Sequence, residues 1–265
     1  MSSPRLLGVL NVTPDSFSDG GQFLTVEAAV RQGVRLRDEG AERVDVGGES
    51  TRPGAAAVPV EIEKARILPV ITALVAEGVQ VSVDTRRAEV ACAALDVGAS
   101  MVNDVSGGAD PGMFPLIAAR GCPYVLMHMR GEPGTMAELA RYGDVVGAVW
   151  AELGARAADA RRAGVQEPQL ILDPGIGFAK TFEHNIALIT DLPNHRAQVV
   201  MLGVSRKSMF SRLGGGVDPA SRLPGSLAVA LWAAQAGVAW LRVHDVAATR
   251  QALVAWDAVS AGVTP

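Results

Sequence analysis

Side chains that bind ligands or transfer protons stand at the ends of short apolar runs along this chain. They are Asn11, Asp45, Asp84, Asn103, Asp104, His128, Asp173, Arg242, His244 and Asp245. Carboxylates and amides form the paired hydrogen bonds that read a polar ligand edge, and Arg forms paired bonds to anions. Bringing such groups together is costly unless they serve a ligand or each other. The pattern therefore predicts a polar binding site.

The trio Asp84, Asn103 and Asp173 carries this prediction, because three acceptor-rich groups at three different run ends are not explained by turn capping alone. Asp45 precedes two glycines, so capping of a turn is an equal alternative there. His128 lies between apolar residues and is expected to be a hydrogen-bonded structural histidine.

Four other polar residues are assigned local roles. Asp104 and Asp245 directly follow their runs and are expected to be helix N-caps or ion-pair partners. His184 and His195 stand away from the run ends, and we interpret both as surface or local structure.

Two segments suit an anionic ligand. Ser205–Ser208 contains Arg206 and Lys207, and a helix beginning there would present free N–H groups and a positive dipole end. A solvated Arg-Lys surface is the alternative. Arg52 lies in a glycine-rich segment, from which it can clamp a phosphate through two hydrogen bonds.

Arg242 and His244 face the same side of a strand because side chains alternate with a period of two. Together with Asn11 they would suit a diphosphate and its metal ion. Mg²⁺ often binds through few protein groups plus substrate phosphate, so a dense carboxylate cage is not required.

Eight β-branched runs alternate with eight alanine-rich segments, which predicts strand–helix units and a parallel sheet. The predicted strands are Leu6–Val12, Arg43–Val46, Val79–Asp84, Ser100–Asp104, Tyr124–His128, Leu170–Asp173, Val199–Val204 and Trp240–His244. The predicted helices are Val26–Glu39, Val60–Glu77, Arg87–Val97, Pro111–Arg120, Gly143–Ala163, Thr181–Asp191, Ser221–Ala236 and Val246–Val259. Pro69 is expected to kink or divide the second helix.

Eight units in 265 residues predict an α/β fold, a single-domain (β/α)₈ barrel over residues 1–265. All the strand ends noted above would then meet at one mouth. An open doubly wound sheet is the alternative, but it usually has fewer strands and a glycine fingerprint after the first. Here Asn11-Val12-Thr13-Pro14-Asp15 follows the first strand instead.

Composition narrows the class of protein. Hydrophobic residues make up 49 % and charged residues 20 %, which predicts a packed core. A net charge of −4 argues against a nucleic-acid partner. Two cysteines exclude a disulfide scaffold.

The longest apolar stretch, Leu227–Leu241, is shorter than a membrane span of about 20 residues, and we see no secretory signal, so a cytoplasmic location is expected.

Nine motifs follow one another along the chain, namely Gly8–Gly21, Val44–Gly54, Ser82–Thr85, Asn103–Gly108, Leu126–Met129, Asp173–Phe178, Gly203–Ser208, Gly225–Ala228 and Arg242–Val246. In this order they resemble the dihydropteroate synthase family over essentially the whole chain. Any one of them is a weak signal, whereas the ordered set at predicted strand ends is specific.

The resemblance implies a transferase that condenses 4-aminobenzoate with 6-hydroxymethyl-7,8-dihydropterin diphosphate, giving 7,8-dihydropteroate and diphosphate. The family's pterin-binding positions match Asp84, Asn103, Met127, Asp173, Phe178, Lys207 and Arg242. Its diphosphate-binding positions match Asn11, Arg52, Arg242 and His244, with Asn11 also at the Mg²⁺ position. Its 4-aminobenzoate positions match Phe17, Thr51, Pro53 and Ser208.

Residue chemistry supports these assignments. The Asp173 carboxylate can accept from a pterin ring N–H and its exocyclic amine, while Lys207 donates to the carbonyl and a ring nitrogen. Loss of diphosphate would leave a cationic methylene that Asp84 stabilises, while Arg52, His244 and Mg²⁺ stabilise the leaving anion. Asp84, Asp173, Lys207, Arg52 and His244 are therefore the predicted catalytic residues of a dissociative substitution without a covalent intermediate.

Two rival functions remain at this stage. A pterin-dependent methyltransferase would need a corrinoid-protein partner and no anion site, and a degenerate paralogue would only bind pterin. One departure from the family pattern is Ile176, where many members carry an aromatic residue, and altered packing beside the pterin is expected. The resemblance also implies a homodimer, for which Leu227–Leu241 and the last helix are the candidate face.

Overall fold

Strands and helices alternate along the chain in the computed structural model, which describes residues 3–13, 26–50, 58–132 and 134–261. The strands are β1 (Arg5–Asn11), β2 (Arg43–Gly47), β3 (Val81–Asp84), β4 (Met101–Asp104), β5 (Tyr124–Met127), β6 (Leu170–Asp173), β7 (Met201–Leu202) and β8 (Trp240–Val243). The α-helices are α1 (Val26–Asp38), α2 (Val60–Ala76), α3 (Ala88–Asp96), α4 (Met113–Arg120), α5 (Val145–Arg162), α6 (Phe182–Asp191), α7 (Leu223–Ala236) and α8 (Val246–Ala261).

The strands form one parallel sheet in the order β6-β5-β4-β3-β2-β1-β8-β7. A parallel bridge between Leu172 and Val200 brings the two edges together, and the Leu172 N–H donates to the Val199 carbonyl at 2.9 Å. The sheet is therefore a nearly closed barrel. The predicted (β/α)₈ architecture is confirmed and the open-sheet alternative is wrong.

Apolar side chains fill two separate regions. A large cluster lies between the sheet and the helices, and it includes Val44, Val83, Leu126 and Leu202. A small cluster fills the inside of the barrel, where alternate residues of each strand point. This barrel floor consists of Leu7, Met101, Val125, Ile171, Met201 and Trp240.

Three sequence expectations about elements are wrong: the division of the second helix, the length of the seventh strand and the helix start at Ser205–Ser208. Helix α2 is not divided at Pro69 but runs unbroken from Val60 to Ala76. Strand β7 covers only Met201–Leu202 instead of Val199–Val204, because the chain leaves the sheet at Gly203. The Ser205–Ser208 segment also does not open an α-helix. A short 3-10 helix, Ser208–Leu213, follows it, and α7 begins only at Leu223.

Among the residues described, no helix is both long and apolar enough to cross a bilayer.

Candidate active site

Strand alternation places the polar site directly above the barrel floor. Two residues beyond each floor residue, on β4, β5, β6 and β8, stand Asn103, Met127, Asp173 and Arg242. Asp84 on β3 is the register partner of Asn103, and Met127 is the register partner of Asp173. We call Asp84, Asn103, Met127, Asp173 and Arg242 the mouth layer. The same alternation that builds the floor therefore turns these five side chains inward at the carboxyl ends of the strands.

Arg242 holds two carboxylates of this region. Its Nε donates to Asp45 Oδ2 at 2.7 Å and its Nη2 to Asp84 Oδ2 at 2.7 Å. The Asn103 amide donates to the same Asp45 oxygen at 2.9 Å, and Asp45 is fully buried. Asp45 is therefore not a turn cap, because its carboxylate orients Asn103 and Arg242.

Burial and charge act in opposite directions on this group. Burial raises the pKa of Asp84 to about 7, with Arg242 opposing the shift and Asp45 adding to it. Burial also opposes ionisation of Arg242, but the carboxylates of Asp45 and Asp84 raise the pKa of its guanidinium above the usual value. Arg242 therefore stays charged, whereas Asp84 changes its charge near neutral pH.

Asp173 and Lys207 face each other across the loop that follows β6. Asp173 Oδ1 accepts from the Gly175 N–H at 2.7 Å, and Lys207 donates to the Ile176 carbonyl. The Lys207 ammonium lies 4.7 Å from the centre of the Phe178 ring. Burial lowers the pKa of Lys207 to about 8, and burial raises the pKa of Asp173 while Lys207 opposes that shift.

Gly203, the residue after β7, shows that Arg242 and Asp173 lie on the same side of the barrel. A Cβ atom added there would meet both Arg242 Cδ and Asp173 Oδ2 at 3.9 Å. The ion pair of Arg242 with Asp84 thus lies beside Asp173, as predicted for one site.

His244 comes just after β8 and is joined to the segment after β7. Its N–H donates to Ser205 Oγ at 3.1 Å, and its Nδ1 lies 3.1 Å from the same oxygen. His244 is half-buried, and Ser208 is exposed at the start of the 3-10 helix. Asn11, at the end of β1, pairs in register with Gly47, which pairs in turn with Asp84. Asn11 therefore borders the mouth layer near Asp84, and His244 follows Arg242 of that layer two residues along the chain.

Arg206 is not the free cation that the sequence predicted. Its Nε donates to Asp245 Oδ2 at 2.8 Å, and its Nη2 donates to the second Asp245 oxygen. Its backbone has φ +60, and Ser226 Oγ accepts from its N–H at 2.9 Å. Arg206 therefore belongs to a fixed turn, and the ion-pair interpretation of Asp245 is confirmed.

Asp104 is neither a helix N-cap nor an ion-pair partner, so both expectations for it are wrong. It accepts from Tyr124 Oη at 2.7 Å and from the N–H groups of Ser106 and Gly108 at 2.8 and 2.9 Å. It therefore fixes the turn after β4.

Ile176 does not present its side chain to the site. It is fully buried in the cluster between sheet and helices, and Lys207 uses only its backbone carbonyl. Altered packing beside the pterin stays a prediction, and the carbonyl that Lys207 contacts is one that any residue at this position supplies.

Several predicted site residues lie outside the described part of the chain. They are Phe17, Thr51, Arg52 and Pro53.

Two residues of the site region were missed or undervalued in the sequence. The sequence contained a usable signal for Asp45. It lies two residues before Gly47, so both residues face the inside of the barrel, and Gly47 is the register partner of Asp84. Lys180 had none beyond its position two residues after Phe178. It donates to the Phe178 carbonyl at 2.9 Å and contacts His128 Nδ1 at 3.0 Å.

Known proteins are similar to this chain both in sequence and in architecture. The sequence model of a family described as "Pterin binding enzyme" matches residues 7–244. A dihydropteroate synthase from Mycobacterium leprae is 48 % identical over 94 % of this chain and 91 % of its own length. The chain belongs to the dihydropteroate synthase family.

Solved structures of this family agree with the fold. Dihydropteroate synthase from Xanthomonas albilineans, with 4-aminobenzoic acid, superposes with a TM-score of 0.93 at 48 % identity, covering 98 % of this chain and 94 % of that one. The same enzyme in complex with 7,8-dihydropteroate gives a TM-score of 0.89 at 45 % identity, covering 98 % and 95 %. As a member of the dihydropteroate synthase family, this chain is a transferase whose mouth layer occupies the end of the barrel where active sites of such barrels lie.

Proposed function

We propose that this protein condenses 4-aminobenzoate with 6-hydroxymethyl-7,8-dihydropterin diphosphate to give 7,8-dihydropteroate and diphosphate. The observation that carries the proposal is the mouth layer itself, where Asp84, Asn103 and Asp173 face the same opening as Arg242. The Xanthomonas albilineans relatives hold 4-aminobenzoic acid in one case and 7,8-dihydropteroate in the other.

The pterin edge is read by Asp173, Lys207 and Asn103. The free Asp173 oxygen accepts from the ring N–H and the exocyclic amine, and Lys207 donates to the ring carbonyl. Asn103 is held by Asp45 at 2.9 Å, so its amide orientation is fixed before the ligand arrives. Met127 and Phe178 pack on the ring, and the Arg242 guanidinium stacks over it. A site of this kind rejects analogues that leave its buried polar groups unpaired.

The reaction is a dissociative substitution. As the C–O bond to diphosphate breaks, positive charge develops on the pterin methylene, and the ionised Asp84 carboxylate stabilises it. Arg242, His244 and Arg52 bind the departing anion. The 4-aminobenzoate nitrogen then forms the new C–N bond with its lone pair, and its proton passes to solvent water. Isotope effects showing little C–O cleavage in the transition state would contradict this order.

Asn11 fits a shared Mg²⁺ site and not a closed protein cage. The described residues contain no group of three His, Cys, Asp or Glu side chains placed to hold a metal ion. Mg²⁺ accepts one or two protein oxygens when substrate phosphate supplies others. The Asn11 amide oxygen would hold the ion together with the diphosphate, and the bound ion would neutralise charge on the leaving group.

The 4-aminobenzoate side is assigned to Phe17, Thr51, Pro53 and Ser208. Ser208 is exposed where the 3-10 helix begins, so its hydroxyl is free to accept or donate at the carboxylate of this substrate. We also predict that the protein is a homodimer and that it is located in the cytoplasm.

Diphosphate release tests the function. We expect release with Mg²⁺ that requires both the dihydropterin diphosphate and 4-aminobenzoate, with 7,8-dihydropteroate formed in equal amount. Pterin binding without turnover would favour the paralogue that only binds. Methyl transfer to a corrinoid protein without diphosphate release would favour the methyltransferase.

A further inference from the structure

Lys180 is a partly buried lysine at the mouth that the proposed reaction does not use. Its ammonium donates to the Phe178 carbonyl at 2.9 Å and to His128 Nδ1 at 3.0 Å. His128 Nε2 lies 3.0 Å from Glu152 Oε2. Burial lowers the pKa of His128 to about 4, so the neutral ring accepts from Lys180 and donates to Glu152. Among the residues described, Lys180 has no carboxylate within ion-pair distance.

The backbone before Lys180 has an unusual left-handed conformation. Within the described ranges, two residues other than glycine have a positive φ, namely Ala179 at +50 and Arg206 at +60. Each directly precedes a lysine of the mouth, Lys180 or Lys207. Left-handed backbone in a residue with a Cβ costs about 1–2 kcal/mol and persists where the surrounding structure requires it. A left-handed residue therefore sets the backbone direction immediately before each of the two lysines.

Both lysines act on Asp173. Burial raises the pKa of Asp173, and the positive charges of Lys207 and Lys180 both oppose that shift. The other charged groups near Lys180 are Glu152 on α5 and Arg130 after β5. The carboxylate that reads the pterin edge thus lies near two ammonium groups.

We propose that Lys180 is a positioning residue of the pterin pocket, which fixes the Phe178 loop against His128 and adds its positive charge to those of Lys207 and Arg242 that keep Asp173 ionised. The inference rests on the proposed function, because it assigns Asp173 to the pterin edge.

The charge gives Lys180 a pH signature. Burial lowers the pKa of Lys180 to about 7, so its charge is fully present only below neutrality. Removing it raises the pKa of Asp173, and the acid limb of pterin binding moves to higher pH. At alkaline pH wild-type Lys180 is neutral, so the loss of affinity shrinks there.

The test is fluorescence titration with 6-hydroxymethylpterin, a ligand without diphosphate, from about pH 5.5 to 8.5. The variants are Lys180→Met, Lys180→Gln and Lys180→Arg. Lys64→Met is the matched control, because Lys64 lies on α2 and pairs with Glu61 and Glu89 at 2.6 and 2.7 Å. Thermal unfolding establishes that each variant is folded.

We expect Lys180→Met and Lys180→Gln to weaken binding about tenfold or more at pH 6 and less at pH 8.5, with Lys180→Arg and Lys64→Met close to wild type. Equal affinity of Lys180→Met and wild type at every pH would overturn the inference, as would a loss independent of pH. In both cases wild-type binding and turnover leave the proposed function standing. A folded wild type that binds no pterin would overturn both.

Discussion

Lys207 is the cation that we expect to donate to the pterin edge. Its ammonium donates to the Ile176 carbonyl and lies 4.7 Å from the Phe178 ring centre, and it also faces Asp173. We expect Lys207→Ala to lower kcat/KM by about 10²–10³. The variant loses a hydrogen-bond donor to the pterin edge, and the buried Asp173 carboxylate loses a nearby positive charge. Diphosphate release and pterin titration measure this.

His195→Ala is the control for Lys207→Ala. His195 stacks on Trp150 with ring centroids 3.7 Å apart and bonds to Asp191 at 2.7 Å, so its role is local, as the sequence indicated. We expect kcat/KM within about twofold of wild type, because substitutions away from the core and from buried polar groups have small effects. An equal loss in both variants would remove Lys207 from the site.

The pH profile of kcat/KM contains the titrations of Asp84 and Lys207, in addition to the effects of Asp173 and Lys180 on pterin binding. Asp84 acts ionised and burial raises its pKa to about 7, while Lys207 acts protonated and burial lowers its pKa to about 8. Activity should therefore fall below pH 7 and above pH 8, giving a bell-shaped kcat/KM profile whose apparent values belong to the coupled site.

Asp45→Asn tests the acid limb of that profile. The Asp45 charge raises the pKa of Asp84, so its removal should lower that pKa and move the acid limb to lower pH. A limb that stays in place or moves upward would assign the limb to another group.

At the scale of elements, the loop between β6 and α6 depends on close backbone approach. Gly175 has φ +66, and a Cβ atom there would lie 1.9 Å from the His128 carbonyl oxygen. We expect Gly175→Ala to lower the free energy of unfolding by about 3 kcal/mol or more, because overlap adds to backbone strain. Urea unfolding followed by circular dichroism measures it.

Gly78→Ala is the matched control, because Gly78 has φ +73 but nothing within 4 Å of the added Cβ. It isolates the cost of the left-handed backbone, about 1–2 kcal/mol. Equal costs in the two variants would show that the His128 carbonyl moves away freely, so that the loop is not fixed against β5.

At the scale of the whole molecule, α7 and α8 present apolar side chains to solvent. Trp232 on α7 is 40 % exposed, and Val254, Trp256 and Val259 on α8 are 62, 37 and 78 % exposed. Trp232 lies between Leu227 and Leu241 and the other three lie on the last helix, so all four belong to the face predicted for a homodimer.

We expect sedimentation equilibrium to give a dimer for wild type and a monomer for Val254→Glu, because a buried, unpaired carboxylate opposes association. Ile62→Glu is the control, since Ile62 lies on α2 and is 47 % exposed. A dimer that survives Val254→Glu would place the interface elsewhere.

The sequence by itself determined the barrel and most of its mouth. Eight apolar runs with polar ends can be covered on both faces only in a parallel sheet, and the ordered motifs located Asp84, Asn103, Asp173 and Lys207. Strand ends were predicted well where a run stops at a polar residue, as at Asp173. The end of β7 was not, because the apolar run continues past the point where the chain leaves the sheet at Gly203.

Only the tertiary structure decided which charges are free to meet a ligand. Arg206 and Lys207 are neighbours in sequence, yet Arg206 is bound by Asp245 while Lys207 faces Asp173. Asp45 is joined to Arg242 across 197 positions, and Lys180 to His128 across 52. Local sequence contains propensities and spacing, but charge, burial and the choice of partner depend on which distant strand ends the closed barrel brings together.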